Sequence, residues 1–160
     1  MREFVLALAY WLHLTATSVW IGGIVFILLV AIPSSKEVLG ADAGKLMGEI
    51  SKKFTPLANY SIMLLVLSGL IMTGFSKEFS GIRTLNNWNS ILILKHVPVL
   101  GMIMIHFYRG LILSPKIMKT TSAAEKANLQ KLSLTMVKIN LSAGILVLLL
   151  SGFMGSMGKQ

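Results

Sequence analysis

The sequence predicts an all-α integral membrane protein, a four-helix bundle that forms a single transmembrane domain over residues 1–160. Of its 160 residues, 54% are apolar and 13% are charged, which is more apolar surface than a soluble core of this size buries. Four apolar stretches are each long enough to cross a bilayer as a helix. No internal repeat is evident. The chain has no cysteine, which excludes disulfides, thiolate metal sites and iron–sulfur clusters.

The predicted spans are bounded by proline and polar residues. The first span is closed by Pro33, and at about 1.5 Å per residue it exceeds the roughly 30 Å hydrocarbon core, so we expect it to tilt or protrude. The second span has Pro56 in its first turn, where a missing amide hydrogen does no harm. The four spans cover residues 4–32, 57–75, 88–113 and 136–154.

Two polar connections follow the first and third spans. Residues 34–55 are predicted to contain a short amphipathic helix at about 43–54, and residues 114–133 are typical of a helical connector. Each connection carries four lysines, which are Lys36, Lys45, Lys52 and Lys53 in the first and Lys116, Lys119, Lys126 and Lys131 in the second.

Basic residues predict the orientation. The N-terminus, the middle loop and the C-terminus together hold only Arg2, Lys77, Arg83 and Lys159. The positive-inside rule therefore places both lysine-rich connections in the cytoplasm and both termini on the outer, non-cytoplasmic side. We expect a multi-pass protein of the cell membrane, inner or plasma, with the lipid bilayer as its partner.

The net charge of +9 does not indicate nucleic acid binding. The lysines are spread through two connections, without the concentrated stripe or the interleaved aromatic residues of a nucleic-acid-binding face. Membrane topology explains them better.

The third span contains Lys95, His96, His106 and Arg109. Ionisable groups at membrane depth cost several kcal/mol unless they are paired, solvated or bound, so they mark a candidate functional site. No acidic residue lies inside a predicted span, so a carboxylate proton relay is absent from the predicted spans.

Depth and angle relate these residues to a histidine in the first span. His13 and His96 both lie about 12–14 Å from the outer edge at helical rise, on spans that run in the same direction, and His106 lies about 15 Å deeper than His96. Lys95 and His106 project within about 20° of each other, with Met102 on the same stripe. Two histidines at equal depth on different helices are the ligand pair that a bis-imidazole haem b requires.

Ordinary alternatives stand beside this hypothesis. An intramembrane histidine often only bonds a serine or a backbone carbonyl, and Lys95 and Arg109 often only extend towards the membrane surface. Met102 and His106 are spaced i, i+4 and carry the ligand types that suit copper(I), although one such pair is a weak signal.

The first span resembles a known helix. Its segment Trp-Leu-His-Leu-Thr-Ala-Thr-Ser-Val-Trp-Ile-Gly-Gly around His13 is similar to the opening helix of the copper resistance protein D family and of the haem-containing membrane protoporphyrinogen oxidases. Lys95, with His106 eleven residues later and then Phe-Tyr-Arg-Gly, resembles the oxidases, whereas Lys95 with Tyr108-Arg109 and Pro115 resembles the copper resistance type.

The resemblance implies a four-helix membrane protein that binds haem b, with His13 as a ligand and Lys95 and His106 as site residues. One departure counts against protoporphyrinogen oxidation. After Asn140 the oxidases have an acidic residue and then a proline, and this chain has Leu141 and Ser142.

The leading hypothesis is a cytochrome b-like electron-transfer protein with one haem b. His13 and His96 are its predicted axial ligands, His106 is the alternate ligand, and Lys95 pairs with a propionate or a quinone. A quinone or a redox protein is the predicted electron partner. Whether the protein is an enzyme and whether it forms homo-oligomers stay open. The alternatives are a protoporphyrinogen oxidase-type enzyme and a copper transport or resistance membrane protein.

Overall fold

In the computed structural model, residues 1–75 and 87–157 are described. They are helical almost throughout and contain no β-strand. The predicted all-α class is therefore confirmed for this part of the chain. The middle loop with Lys77 and Arg83, and Lys159 near the C-terminus, lie outside the described residues.

Six α-helices make up most of the described chain, and two π-helical turns and one 3₁₀ turn continue or connect them. In chain order the elements are α1 (Arg2–Phe26), a π-helical turn (Ile27–Ala31), α2 (Ile32–Leu39), a 3₁₀ turn (Gly40–Asp42), α3 (Ala43–Phe75), α4 (Asn87–Tyr108), a π-helical turn (Arg109–Leu113), α5 (Ser114–Lys119) and α6 (Ala123–Met157).

The chain divides into two compact units, Met1–Phe79 and Ser80–Gln160, and each is described by itself. We call them the first and second hairpins, because in each a long helix returns along another. The single domain over residues 1–160 stays a prediction.

In the first hairpin, α1 runs antiparallel to α3. At one end the Arg2 guanidinium donates from Nη2 to the carbonyl oxygen of Phe75 over 2.8 Å. At the other end Gly23 lies against the ring of Phe54. The chain reverses at Gly40, whose φ of 50° lies in the left-handed region that favours glycine. The buried residues of α1 form one stripe that consists of Ala9, Ala16, Trp20 and Ile24.

In the second hairpin, α4 packs along α6, and the π-helical turn, α5 and residues 120–122 connect them. Arg109 Nε donates to Ser133 Oγ over 3.1 Å, which joins the two arms near the connection. The buried residues are Leu92, Met102, His106 and Leu113 on the first arm and Val137, Asn140, Gly144 and Met154 on the second.

Three helical stretches of the described chain are long and apolar enough to cross a membrane: Arg2–Phe75, Ser90–Lys119 and Ala123–Ser156. The first of them contains both α1 and α3, which fold back on each other. The prediction of membrane-spanning helices is consistent with these lengths and compositions.

The structure differs from the sequence prediction at Pro56. We expected this proline to open the second span, but it lies inside α3, so the amphipathic helix at 43–54 and the span at 57–75 form one helix. Pro56 removes one backbone hydrogen bond. The helix continues because Phe54 and the fully buried Ala58 hold it on both sides of the exposed proline ring.

Gly23 is the position where α1 requires a hydrogen instead of a side chain. A Cβ there would collide with the Phe54 ring, whereas a Cβ on Gly22 meets nothing within 4 Å. We predict that Gly23→Val lowers the free energy of unfolding by about 1–3 kcal/mol through overpacking. Gly22→Val is the matched control, since it makes the same change one residue away. Denaturant titration of both variants in detergent micelles measures the difference, and equal loss of stability in the two would refute the contact.

Candidate metal-binding residues

His13 is half-buried in the first hairpin, where its Nδ1 lies 2.9 Å from Ser68 Oγ. The single hydroxyl hydrogen of Ser68 is donated to the carbonyl oxygen of Leu64, over 2.6 Å. A Ser68 hydroxyl that donates to Leu64 accepts from His13, and this arrangement favours the tautomer with the ring proton on Nδ1. Gly69 lies beside the ring, where an added Cβ would stand 3.6 Å from His13 Cε1 in ordinary van der Waals contact.

Met102 and His106 lie on one face of α4 and are buried, with 2% and 8% of their surface exposed. Their i, i+4 spacing brings a thioether and an imidazole next to each other on the face that packs in the second hairpin. The Phe107 ring stands edge-on to His106, with 5.4 Å between the ring centroids. These are the two ligand types that copper(I) prefers when thiolates are absent.

His96 is exposed, and its Nδ1 hydrogen-bonds the carbonyl oxygen of Leu92, one turn earlier in its own helix. A carbonyl oxygen only accepts, so the His96 proton is also on Nδ1. Such a backbone bond is the ordinary alternative to metal ligation for a histidine in a membrane helix.

Lys95 is half-buried on α4 and forms no salt bridge with any residue of the described ranges. Its predicted propionate or quinone contact therefore stays a prediction.

The sequence-predicted residues divide between the hairpins. His13 belongs to the first, while Lys95, His96 and His106 all lie on α4 of the second. Haem ligation by His13 together with His96 or His106 would need one ligand from each hairpin. This pairing stays a prediction.

Two polar residues that support the site were not predicted as such. Ser68 contacts the His13 ring. The sequence feature that could have indicated it is a serine within an apolar helix, where its hydroxyl donates to the carbonyl one turn earlier. Asn140 is 4% exposed on α6, and its Oδ1 has no hydrogen-bond partner in the described part of the chain. In the sequence, Asn140 only marks the point after which the chain departs from the oxidases.

Within residues 1–75 and 87–157, no three residues of the types His, Cys, Asp and Glu come together as a metal-ligand group. The Met102 and His106 pair offers thioether sulfur beside imidazole nitrogen. Such a donor set favours a soft ion such as copper(I) over zinc, calcium or magnesium.

A comparison with known protein families assigns the chain to a family. The family model for copper resistance protein D matches residues 48–154. The chain belongs to the copper resistance protein D family. The match includes Lys95, His96, Met102 and His106 and begins after His13. This confirms the resemblance to the copper resistance type and supports a membrane protein. No curated protein and no solved structure matches.

The Ser68 hydroxyl is predicted to set the His13 tautomer. Ser68→Ala removes the acceptor of Nδ1–H, so we expect the His13 ring nitrogens to change their NMR signals and the free energy of unfolding to fall by about 1 kcal/mol. Ser61→Ala is the matched control, because Ser61 is also buried on α3 and its Oγ donates to the Leu57 carbonyl in the same way. Nitrogen NMR of histidine-labelled protein checks this, and unchanged His13 signals in Ser68→Ala would contradict it.

Proposed function

We propose that this protein binds copper(I) inside the membrane and carries it across the bilayer, as a copper transport or resistance protein. The observation that carries the proposal is the buried Met102 and His106 pair in a chain of the copper resistance protein D family. Copper is the substrate in this proposal, and the side chains are its transient ligands.

The chemistry of the pair supports copper(I) in particular. Thioether sulfur is a soft donor that binds copper(I) well and hard cations poorly. Both donors are neutral, so the bound ion keeps its single positive charge. The desolvation penalty of that charge is smaller than the penalty of a divalent ion. The same residues suit a carrier, since a site without thiolates binds the ion less tightly and releases it more readily.

The family description favours copper over the leading hypothesis from the sequence. Haem b, cytochrome b-like electron transfer, a quinone, a redox partner protein and protoporphyrinogen oxidation have no support from the family description and stay predictions. His13 stays a candidate ligand in either case, because imidazole nitrogen suits copper or iron.

The proposal includes a topology of four crossings. α1, α3, α4 and α6 contain 25, 33, 22 and 35 residues, and about 20 are needed to cross the hydrocarbon core. With the lysine-rich connections in the cytoplasm, both termini lie on the outer side of the cell membrane.

The orientation is tested by a reporter fused after Gln160. We expect a reporter that is active only outside the cytoplasm to work there, and one that is active only in the cytoplasm to fail. The reverse result would place the termini inside and overturn the lysine argument.

Copper(I) binding is tested on the detergent-purified protein under reducing conditions. We expect about one copper(I) per chain in competition with a chromophoric chelator, and an affinity at least about tenfold lower in Met102→Leu and His106→Ala. Met104→Leu is the matched control, since Met104 lies two residues from Met102 on the exposed side of the same helix.

An optical spectrum of the same preparation separates the competing hypotheses. A Soret band with about one haem per chain and no copper bound would overturn the proposal in favour of the haem b cytochrome. Copper binding that is equally strong in Met102→Leu, His106→Ala and Met104→Leu would overturn the assignment of the site.

A further inference from the structure

The two hairpins have the same order of elements. In each, a long helix continues into a π-helical turn, then into a short helix with proline as its second residue, and a second long helix follows. The turns Ile27–Ala31 and Arg109–Leu113 begin 82 residues apart, and so do Pro33 and Pro115. π-helical turns are rare, so two of them at one spacing are a specific similarity.

Burial follows the same spacing. Each residue from His13 to Ala31 can be compared with the residue 82 positions later, from Lys95 to Leu113. The two have the same degree of burial, except at the pairs Ala16/Pro98 and Val25/Phe107. Five pairs of buried residues are 82 positions apart: Trp20 and Met102, Ile24 and His106, Ala31 and Leu113, Ala58 and Asn140, and Ile62 and Gly144. The sequence showed no repeat because the copies share positions of burial and not residue types.

We infer that the two hairpins are copies of one helical hairpin, and that the core of the second copy has become a copper(I) site formed by Met102, His106 and Met136, with Asn140 as the positioning residue. The inference rests on the proposed function and extends it with a third ligand and a supporting side chain.

The first hairpin can be compared with the second at the positions that correspond to the proposed ligands. Four corresponding positions that are buried or half-buried carry an aromatic or aliphatic side chain in the first copy and sulfur, imidazole or amide in the second. The pairs are Trp20 and Met102, Ile24 and His106, Phe54 and Met136, and Ala58 and Asn140. Every one of these four differences introduces a metal ligand or a hydrogen-bonding group, and packing alone does not require that.

The correspondence also sets Met136 opposite the residue that precedes His106. In the first hairpin Phe54 lies against Gly23 of the facing helix, and the counterparts of these residues are Met136 and Ile105. Ile105 directly precedes His106. The bond from Arg109 to Ser133 agrees with this register. Arg109 lies one turn after His106 on α4, and Ser133 lies one turn before Met136 on α6, as antiparallel helices require.

Asn140 is the independent sign that the core binds something. It lies one turn after Met136 and only 4% of its surface is exposed. Its Oδ1 has no hydrogen-bond partner in the described chain. Buried acceptors in proteins are nearly always satisfied. Copper(I) on one ring nitrogen of His106 leaves an N–H on the other, and that N–H is the donor we assign to Asn140 Oδ1. In other metal sites, an acceptor that bonds the free N–H of a ligating histidine orients the ring.

The scaffold suggests the variants that test this. Met136→Phe and Asn140→Ala each install the residue that the first copy carries at the same position. We expect the copper(I) affinity to fall at least about tenfold in both. Phe54→Met makes the mirrored exchange in the first hairpin and serves as the control, with affinity unchanged. Detergent gel filtration and thermal unfolding verify each variant's fold, and Met136→Leu replaces Met136→Phe if the larger ring prevents folding.

A spectroscopic measurement separates positioning by Asn140 from a structural role. In protein loaded with silver(I), a stable stand-in for copper(I), Asn140→Ala should shift the N–H signal of the His106 ring, while Phe54→Met should not. If Met102→Leu and His106→Ala lose copper while Met136→Phe (or Met136→Leu) and Asn140→Ala keep it, the inference is wrong and the proposed function stands. If none of the four changes copper binding, both fail.

Discussion

Each hairpin buries only one stripe of each long helix, and the candidate site depends on which side chains occupy that stripe. In the most apolar window of the three membrane-length stretches, 22%, 17% and 17% of residues are buried. Lipid does not drive helices together as water does, so close packing and hydrogen bonds decide the contact. In the first hairpin this contact is made by small residues, by Gly23 under Phe54 and by the bond from His13 to Ser68. A histidine or asparagine in such a stripe is therefore a costly choice that asks for a chemical reason.

Hydropathy predicted the helices because every backbone polar group in lipid must be satisfied within its own segment. The same signal could not predict where helices continue past a polar connection. The π-helical turns leave no mark in the residue types, and Pro56 lies within α3 because contacts on both sides of it stabilise the helix. The helix boundaries around the polar connections were for this reason the least predictable part of the fold.

The candidate site could be predicted in part. Residue type and depth singled out His13, His96 and His106, but depth does not say where a ring points. The structure shows His13 bonded across the hairpin, His106 buried, and His96 exposed and bonded to its own helix. The Met102 and His106 pair was visible from its spacing. Ser68 and Asn140 were not, because the partner of a serine and the missing partner of an amide emerge only when two helices are packed.

The central claim is that copper(I) is held by thioether and imidazole in the second hairpin. X-ray absorption at the copper edge of the copper(I)-loaded protein tests it most directly, because it counts sulfur and nitrogen neighbours of the ion itself. The account predicts a first shell of sulfur and one nitrogen, with one sulfur fewer in Met102→Leu. A shell of nitrogen and oxygen alone, or a spectrum unchanged in Met102→Leu, would contradict it.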